Sequence, residues 1–276
     1  MAATMRVTRI GDHEFHWGSR TYVMGIVNVT PDSFSGDGVT DLEMAVAQAR
    51  EMEQDGADLI DIGGESTRPG AAPVSEEEEM RRLIPVLEGI SLEIPVSVDT
   101  RRPRVMKAAL AAGASMINDV EALTSLGALQ AVAESQCAVC LMHKKGEPAT
   151  MQRDPHYDDV LREVKAFLKE SVERAKGAGI AVDRIVVDPG FGFGKTAAHN
   201  LVLLRHLREL SELPVLAGLS RKSTLGKLTG RPVDERLAGS LAMALLALQS
   251  GAKILRVHDV RETRDVIGVW EAYQRA

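Results

Sequence analysis

The chain reads as an α/β protein, a (β/α)8 TIM barrel of parallel strands with a short N-terminal hairpin, and three observations predict it. Eight short apolar runs, many rich in β-branched residues, each stop at a polar residue or a glycine-rich loop. Segments with helical spacing lie between them, so the strands are joined by helical crossovers and pair in parallel. The polar residues are spread over all eight strand ends, which suits a barrel whose site draws on every C-terminal loop. An open doubly wound sheet, the alternative, would use one switch-point crevice.

Residues Arg6 to Arg20 alternate polar and apolar around Gly11-Asp12, predicting a hairpin within 1–20 that caps the barrel bottom and carries no chemistry. Tyr22 to Val27 then runs to Asn28, and Leu59 to Ile62 carries Asp61 and spills into GGESTRPG. Pro95 to Val98 ends at Asp99, and Met116 and Ile117 end at Asn118 and Asp119. Ala138 to Met142 ends at His143, and Ile185 to Val187 at Asp188. Pro214 to Leu216 ends at Gly218 and SRKS, and Ile254 to Val257, broken by Arg256, ends at His258.

Between the strands, Leu42, Ala45, Val46, Ala49 and Met52 keep one helical face apolar, as do Leu161, Val164, Leu168, Val172 and Ala175. Thr40 with Glu43, and Ser75 with Glu78, match the capping box, in which a hydroxyl and a carboxylate satisfy orphan amide groups reciprocally. The acidic run Glu76 to Glu79 therefore complements a helix dipole rather than a metal. Gly56, Gly113, Gly177 and Gly251, each followed by Ala and then a strand, fit left-handed helix stops.

Composition points to one domain over 1–276. With 45% hydrophobic and 26% charged residues the chain can bury a sizeable core, and its length suits one barrel. The first twenty residues lack an apolar stretch of signal-peptide length and no run approaches a membrane span, so a cytoplasmic enzyme is expected. A net charge of −6 argues against a nucleic-acid groove. Cys137 and Cys140 form C-x-x-C, but on or beside a strand they point to opposite faces and read as core. In Ile185 to Thr196, IVVDPGFGFGKT, Pro189 stands where a phosphate-binding P-loop needs glycine. Gly192, Gly194 and Ala197 fit a dinucleotide fingerprint, yet the next strand ends without the acid that would hold a ribose.

Together the strand ends offer two sets of groups. Asp99, Asn118 and Asp188, with Lys222, present acceptors and one ammonium, which suits a flat heterocycle bearing an amino group and ring N–H donors. Arg256, His258, Asn28 and Arg68 suit an anion, aided by helix N-termini at the same mouth.

Seven motifs also follow one family's order: NVTPDSF from Asn28, GGESTRPGA from Gly63, SVDT from Ser97, INDV from Ile117, DPGFGFGK from Asp188, GLSRKS from Gly218 and RVHDV from Arg256. In these the chain resembles the dihydropteroate synthases. The resemblance implies a pterin-binding barrel, a homodimer, and Mg²⁺-assisted condensation of dihydropterin pyrophosphate with p-aminobenzoate in folate biosynthesis. Carried over motif by motif, Asp99, Asn118, Asp188 and Lys222 bind the pterin, with Met142 and Phe193 near its ring. Asn28, Arg68, Arg256 and His258 hold the pyrophosphate, and Asn28 also touches the metal. Phe34, Thr67, Arg68, Pro69, Ser220 and Lys222 frame the aminobenzoate, with Gly218 among the substrate-binding positions. Asp99, Asp188, Lys222, Arg256 and His258 form the expected catalytic set.

An arylamine is neutral and nucleophilic at pH 7, so this reaction needs cations for the leaving group more than a general base. Many relatives read MHMQG where Met142 to Gly146 reads MHKKG, and Lys144 and Lys145 are expected to be solvated rim charges. A pterin-binding methyltransferase and a non-catalytic pterin-binding paralogue are the rival functions. The SRKS and STRPG segments argue against the first, which transfers a methyl group to a corrinoid and needs neither a pyrophosphate nor an aminobenzoate site, and Thr67, Arg68, Ser220 and Lys222 argue against the second, which has no reason to keep second-substrate loops. Ala238 to Gln249, apolar nearly all round, predicts a dimer contact.

Overall fold

The computed structural model describes residues 7–29, 41–65, 74–147 and 150–276. Phe34, Thr40, Thr67, Arg68 and Pro69 lie outside the described residues. The chain opens with β1 (Val7–Ile10) and β2 (His13–His16), an antiparallel hairpin turning at Gly11-Asp12 as the alternation predicts.

Then strand and helix alternate. They run β3 (Tyr22–Asn28), α1 (Asp41–Gln54), β4 (Leu59–Gly63), α2 (Glu76–Gly89), β5 (Val96–Asp99), α3 (Pro103–Ala111), β6 (Met116–Asp119) and α4 (Ala128–Ala133). There follow β7 (Ala138–Met142), α5 (Val160–Gly177), β8 (Ile185–Asp188), α6 (Ala197–Arg205), β9 (Leu216–Ala217), α7 (Ser223–Thr229), α8 (Leu237–Gln249), β10 (Ile254–Val257) and α9 (Val260–Arg275). The eight strands from β3 onward pair in parallel, each beside its neighbour in sequence, with β10 between β9 and β3. The ring closes through a bridge between Val187 and Val215, where Val187 N donates to Pro214 O at 3.0 Å.

Alternate strand residues belong to different cores. Ile60, Ile62, Val96 and Val98 pack with the helices in the outer core. Leu59, Met24, Met116, Cys140, Val186 and Ile254 fill the barrel's lower interior, where Ile10, Phe15 and Trp17 of the hairpin plug the bottom. Phe15 and Trp17 pack on the Tyr22 ring at centroid distances of 4.6 and 5.4 Å, and the Trp17 indole N–H donates to Thr8 Oγ1 at 2.9 Å. Cys137 lies in the outer core and Cys140 in the inner one, both buried and free, as opposite-face positions require.

Local signals hold with two corrections. Ser75 Oγ accepts from Glu78 N at 3.1 Å, but the Glu78 carboxylate takes Arg81 and Arg82 at 2.7 Å instead of closing the capping box. Gly56, Gly113 and Gly251 have φ of +95, +102 and +95°, whereas Gly177 is the last residue of α5 and Gly179 takes the left-handed turn at +92°. Within the acidic run, Glu79 is buried against Arg102, so it serves tertiary packing as well as the dipole. No described helix is long and apolar enough to cross a membrane.

Because Phe15 is 2% exposed and surrounded by the lower core, Phe15→Ala opens a cavity under the barrel and should cost about 3 kcal/mol of stability. Urea denaturation reads it; a loss below about 1 kcal/mol would mean that the hairpin is not a plug.

Candidate functional site

Inward positions turn from apolar to polar towards the C-terminal ends of the strands. On β4 the change falls between Leu59 and Asp61, on β6 between Met116 and Asn118, on β8 between Val186 and Asp188, and on β10 between Ile254 and Arg256. The ladder runs into the polar residues: Asn28, Asp99, Asp119 and Asp188 are last strand residues, not loop residues. Their backbones are therefore fixed by sheet pairing, as in Met142 opposite Asp188 and Asp99 opposite Asn118.

Arg256 occupies the centre of this layer. Its Nε donates to Asp61 Oδ2 at 2.6 Å and its Nη2 to Asp99 Oδ2 at 3.0 Å. Asn118 Nδ2 also donates to Asp61 Oδ2, at 2.9 Å. Burial pushes the Asp99 carboxyl up to about 7, with Arg256 pulling the other way, and it raises Asp188 against the pull of Lys222. Lys222, at the N-terminus of α7, is pushed down to about 8 by burial, with Asp188 opposing. Its ammonium donates to Phe191 O at 2.6 Å and stands 4.8 Å from the centroid of the Phe193 ring. Ser220 Oγ lies 3.0 Å from His258 Nδ1 and accepts from His258 N at 3.3 Å, which joins the SRKS loop to the end of β10. Met142 is buried at the end of β7.

The structure thus brings Asp99, Asn118, Asp188, Lys222 and Arg256 into one charged set. It links Ser220 to His258 and places Asn28 at the end of β3, while Gly218 lies directly between the end of β9 and Ser220. Gly218 lies against both cations of the site: a Cβ there would stand 3.5 Å from Lys222 Nζ and 3.9 Å from Arg256 Cβ, in ordinary contact.

Sequence reasoning passed over three groups. Asp61 was visible as an acid inside LIDIG, and its inward parity with Leu59 was the available signal. Lys195 and His143 form the second case. The Lys195 ammonium, 2% exposed, lies 2.8 Å from His143 Nδ1 and donates to Gly190 O at 2.9 Å and Phe193 O at 3.0 Å. It shapes the glycine loop from within, and Gly190 is required there: at φ +67° a Cβ would stand 1.9 Å from His143 O.

The third case corrects the expectation for Lys144, which is 11% exposed and pairs with Glu121 at 2.9 Å. Lys145 is the exposed rim charge expected, 47% exposed, and from there it binds Glu163 at 2.9 Å and lies over the Tyr157 ring.

The family described as pterin binding enzyme matches residues 24–258. The chain belongs to the dihydropteroate synthase family of pterin-binding enzymes. The Escherichia coli K12 dihydropteroate synthase is 51% identical over 259 residues, covering 92% of each chain. A Xanthomonas albilineans dihydropteroate synthase solved with 4-aminobenzoic acid is 52% identical, with a TM-score of 0.94, over 99% of this chain and 100% of that one. The enzyme of the same organism solved with 7,8-dihydropteroate is 53% identical, with a TM-score of 0.86, over 94% of this chain and 95% of that one. In this member of the dihydropteroate synthase family, the described residues of the seven motifs sit on the β3 to β10 strand ends or directly after them.

The buried His143 carries a pH signature. Burial and then Lys195 push its imidazole down to about 3, so the folded chain refuses a proton that the unfolded chain takes up near 6.5. Between those values the unfolded state binds more protons, and stability falls with falling pH by about 1.4 kcal/mol per unit from this group. In His143→Gln the acid limb of stability against pH should be flatter than in the wild type. Parallel limbs in denaturant titrations from pH 7 to 5 would remove His143 as the cause.

Proposed function

We propose that the chain condenses (7,8-dihydropterin-6-yl)methyl diphosphate with 4-aminobenzoate to give 7,8-dihydropteroate and diphosphate. It is a transferase of the pterinylmethyl group in folate biosynthesis. The observation that carries the reading is the charged set at the mouth: Asp99, Asn118, Asp188 and Lys222 around Arg256, at the ends of strands held in register.

Asp188 and Asp99 take the amino group and ring N–H donors of the pterin, and Asn118 adds its carboxamide oxygen. Lys222 supplies the donor for a ring acceptor, and Met142 and Phe193 pack near the ring. Supporting this, the Asn118 Oδ1 atom is buried without a partner among the described residues, as an acceptor awaiting a ligand donor would be. Ser220 and Lys222 with Gly218, and the Phe34, Thr67, Arg68 and Pro69 positions, frame the aminobenzoate.

In the transfer, the amine lone pair forms the new bond to the methylene carbon. The C–O electrons leave with diphosphate and the new ammonium centre loses one proton. Arg256, His258 and Arg68 hold the charge that develops on the departing diphosphate, and Asp99 and Asp188 favour positive charge spreading into the pterin. A Mg²⁺ arriving with the diphosphate would be held by the diphosphate oxygens and by Asn28, which offers one neutral oxygen at the end of β3. Bound there, Mg²⁺ would neutralise the leaving group.

A homodimer, a cytoplasmic location and one barrel domain over 1–276 belong to the same proposal. The dimer is supported by Leu246 on α8 and Val269 and Tyr273 on α9, which are 45%, 71% and 71% exposed.

Diphosphate release that depends on 4-aminobenzoate is the direct test. Asp188→Ala should stay folded and lose pterin affinity by about 2–3 kcal/mol, as for a charge-assisted pair, measured by calorimetry. Release without 4-aminobenzoate, or an unchanged pterin affinity in the variant, would sink the assignment. Sedimentation at micromolar concentration should give a dimer mass, and Leu246→Glu should shift it towards the monomer; a monomeric wild type rules the dimer out.

A further inference from the structure

Asp61 has no place in the chemistry above, yet it is a fully buried acid of the mouth. It pairs with Ser97, two strand residues beneath the Gly63–Asp99 pair. One of its oxygens, Oδ2, accepts from Arg256 Nε at 2.6 Å and from Asn118 Nδ2 at 2.9 Å, while Oδ1 is buried without a partner among the described residues. Its hydrogen bonds to the mouth therefore run through Arg256 and Asn118.

We propose that Asp61 is a positioning residue that sets how the pterin site presents Asn118 and Arg256. The inference rests on the pterin reading of the mouth.

The Asn118 step follows from donor and acceptor chemistry. Asp61 Oδ2 already takes Arg256 Nε, a group that can only donate, so it is an acceptor there, and the Asn118 amide must turn its NH₂ to it and its oxygen the other way. That oxygen is the buried Oδ1 without a partner among the described residues. Remove the carboxylate and the two amide orientations approach equal energy. In the flipped one, NH₂ meets the ring N–H groups of the heterocycle, donor against donor, and binding is lost.

Arg256 is fixed by the same atom. Nε on Asp61 and Nη2 on Asp99 give the guanidinium two anchors from two strands, which define its plane as well as its position. With Asp99 alone the fork is free to rotate about one contact. A fully buried carboxylate is a costly way to hold a fold together, and removing one partner of such a pair destabilises more than the pair contributes. The arrangement makes sense where geometry at the mouth is what selection retains.

The bland alternative is that Asp61 only neutralises Arg256 and supports the fold. Two replacements separate the readings. Asp61→Asn loses the charge but keeps an oxygen at the shared position, because Arg256 Nε can only donate to it, and that oxygen still accepts the Asn118 NH₂. Asp61→Ala loses the charge and the acceptor together, so Asn118 and Arg256 both lose their orientation, whereas a residue that only neutralised Arg256 would make the two replacements equally harmful.

The readouts are the thermal midpoint and the calorimetric affinity for 6-hydroxymethylpterin. Asp61→Ala should bind about thirtyfold more weakly, and Asp61→Asn should stay within about fivefold of the wild type. A folded Asp61→Ala that binds within twofold of the wild type, or a folded Asp61→Asn that binds as weakly as Asp61→Ala, overturns the proposal. If Asp61→Ala does not fold, Asp61→Asn decides: an affinity within about fivefold of the wild type supports the positioning role and a larger loss overturns it. A wild type that binds no pterin is a separate result and removes the underlying reading, and this inference with it.

Discussion

Arg256 reaches carboxylates on two other strands, and the polar layer of this barrel depends on that reach, because acids buried together repel one another and shed their charge unless a cation is shared among them. Asp61 and Asp99 face each other across the guanidinium, and Asn118 closes the set through its amide. The partners span β4, β5, β6 and β10, half of the ring. A local change in any of these strands therefore moves the mouth as a unit; sheet pairing holds the strands in register, and the apolar plug of Phe15 and Trp17 on Tyr22 fills the barrel beneath them.

Much of this could be read in the sequence because the barrel obeys two strict periodicities. Helical spacing at Ala45, Ala49 and Met52 matches residues buried on one face of α1, and the β-branched runs match strands to within two residues. What escaped was set by contacts remote in sequence. Asp61 and Arg256 are 195 residues apart, and no local pattern in LIDIG tells that its acid faces inward onto that arginine. Lys144 looks like an ordinary rim charge until the fold brings Glu121 beside it and leaves it 11% exposed. Gly177 was read as a helix stop from its Gly-Ala pair, yet Gly179 lies two residues on and is equally free to take the left-handed turn.

The glycine loop after β8 shows why a motif can mislead when read by composition alone. Its closing Gly-Lys invites a phosphate reading, but in the fold Lys195 turns inward and binds the carbonyls of Gly190 and Phe193. A loop whose glycines adopt φ of +67, +83 and +65° carries carbonyls that no ladder satisfies, and one buried ammonium takes two of them along with a histidine nitrogen. The loop is thus held from inside, which leaves its outer side to set Phe193 and Phe191 against Lys222.

The same burial that builds the site also weakens its charges. With Asp99 pushed up to about 7 and Lys222 down to about 8, the acid has lost much of its preference for the charged form at neutral pH, while the ammonium stays mostly protonated with a reduced margin. A heterocycle that donates to the acid and accepts from the ammonium favours the charged form of both. Its binding therefore strengthens the field around the reacting carbon at the moment when positive charge must be tolerated there. A pocket of fully ionised, solvated groups would bind the same ring with less discrimination, because water would already satisfy the partners. Dryness at the mouth, enforced by the apolar layer below it, is the condition that makes such a site selective.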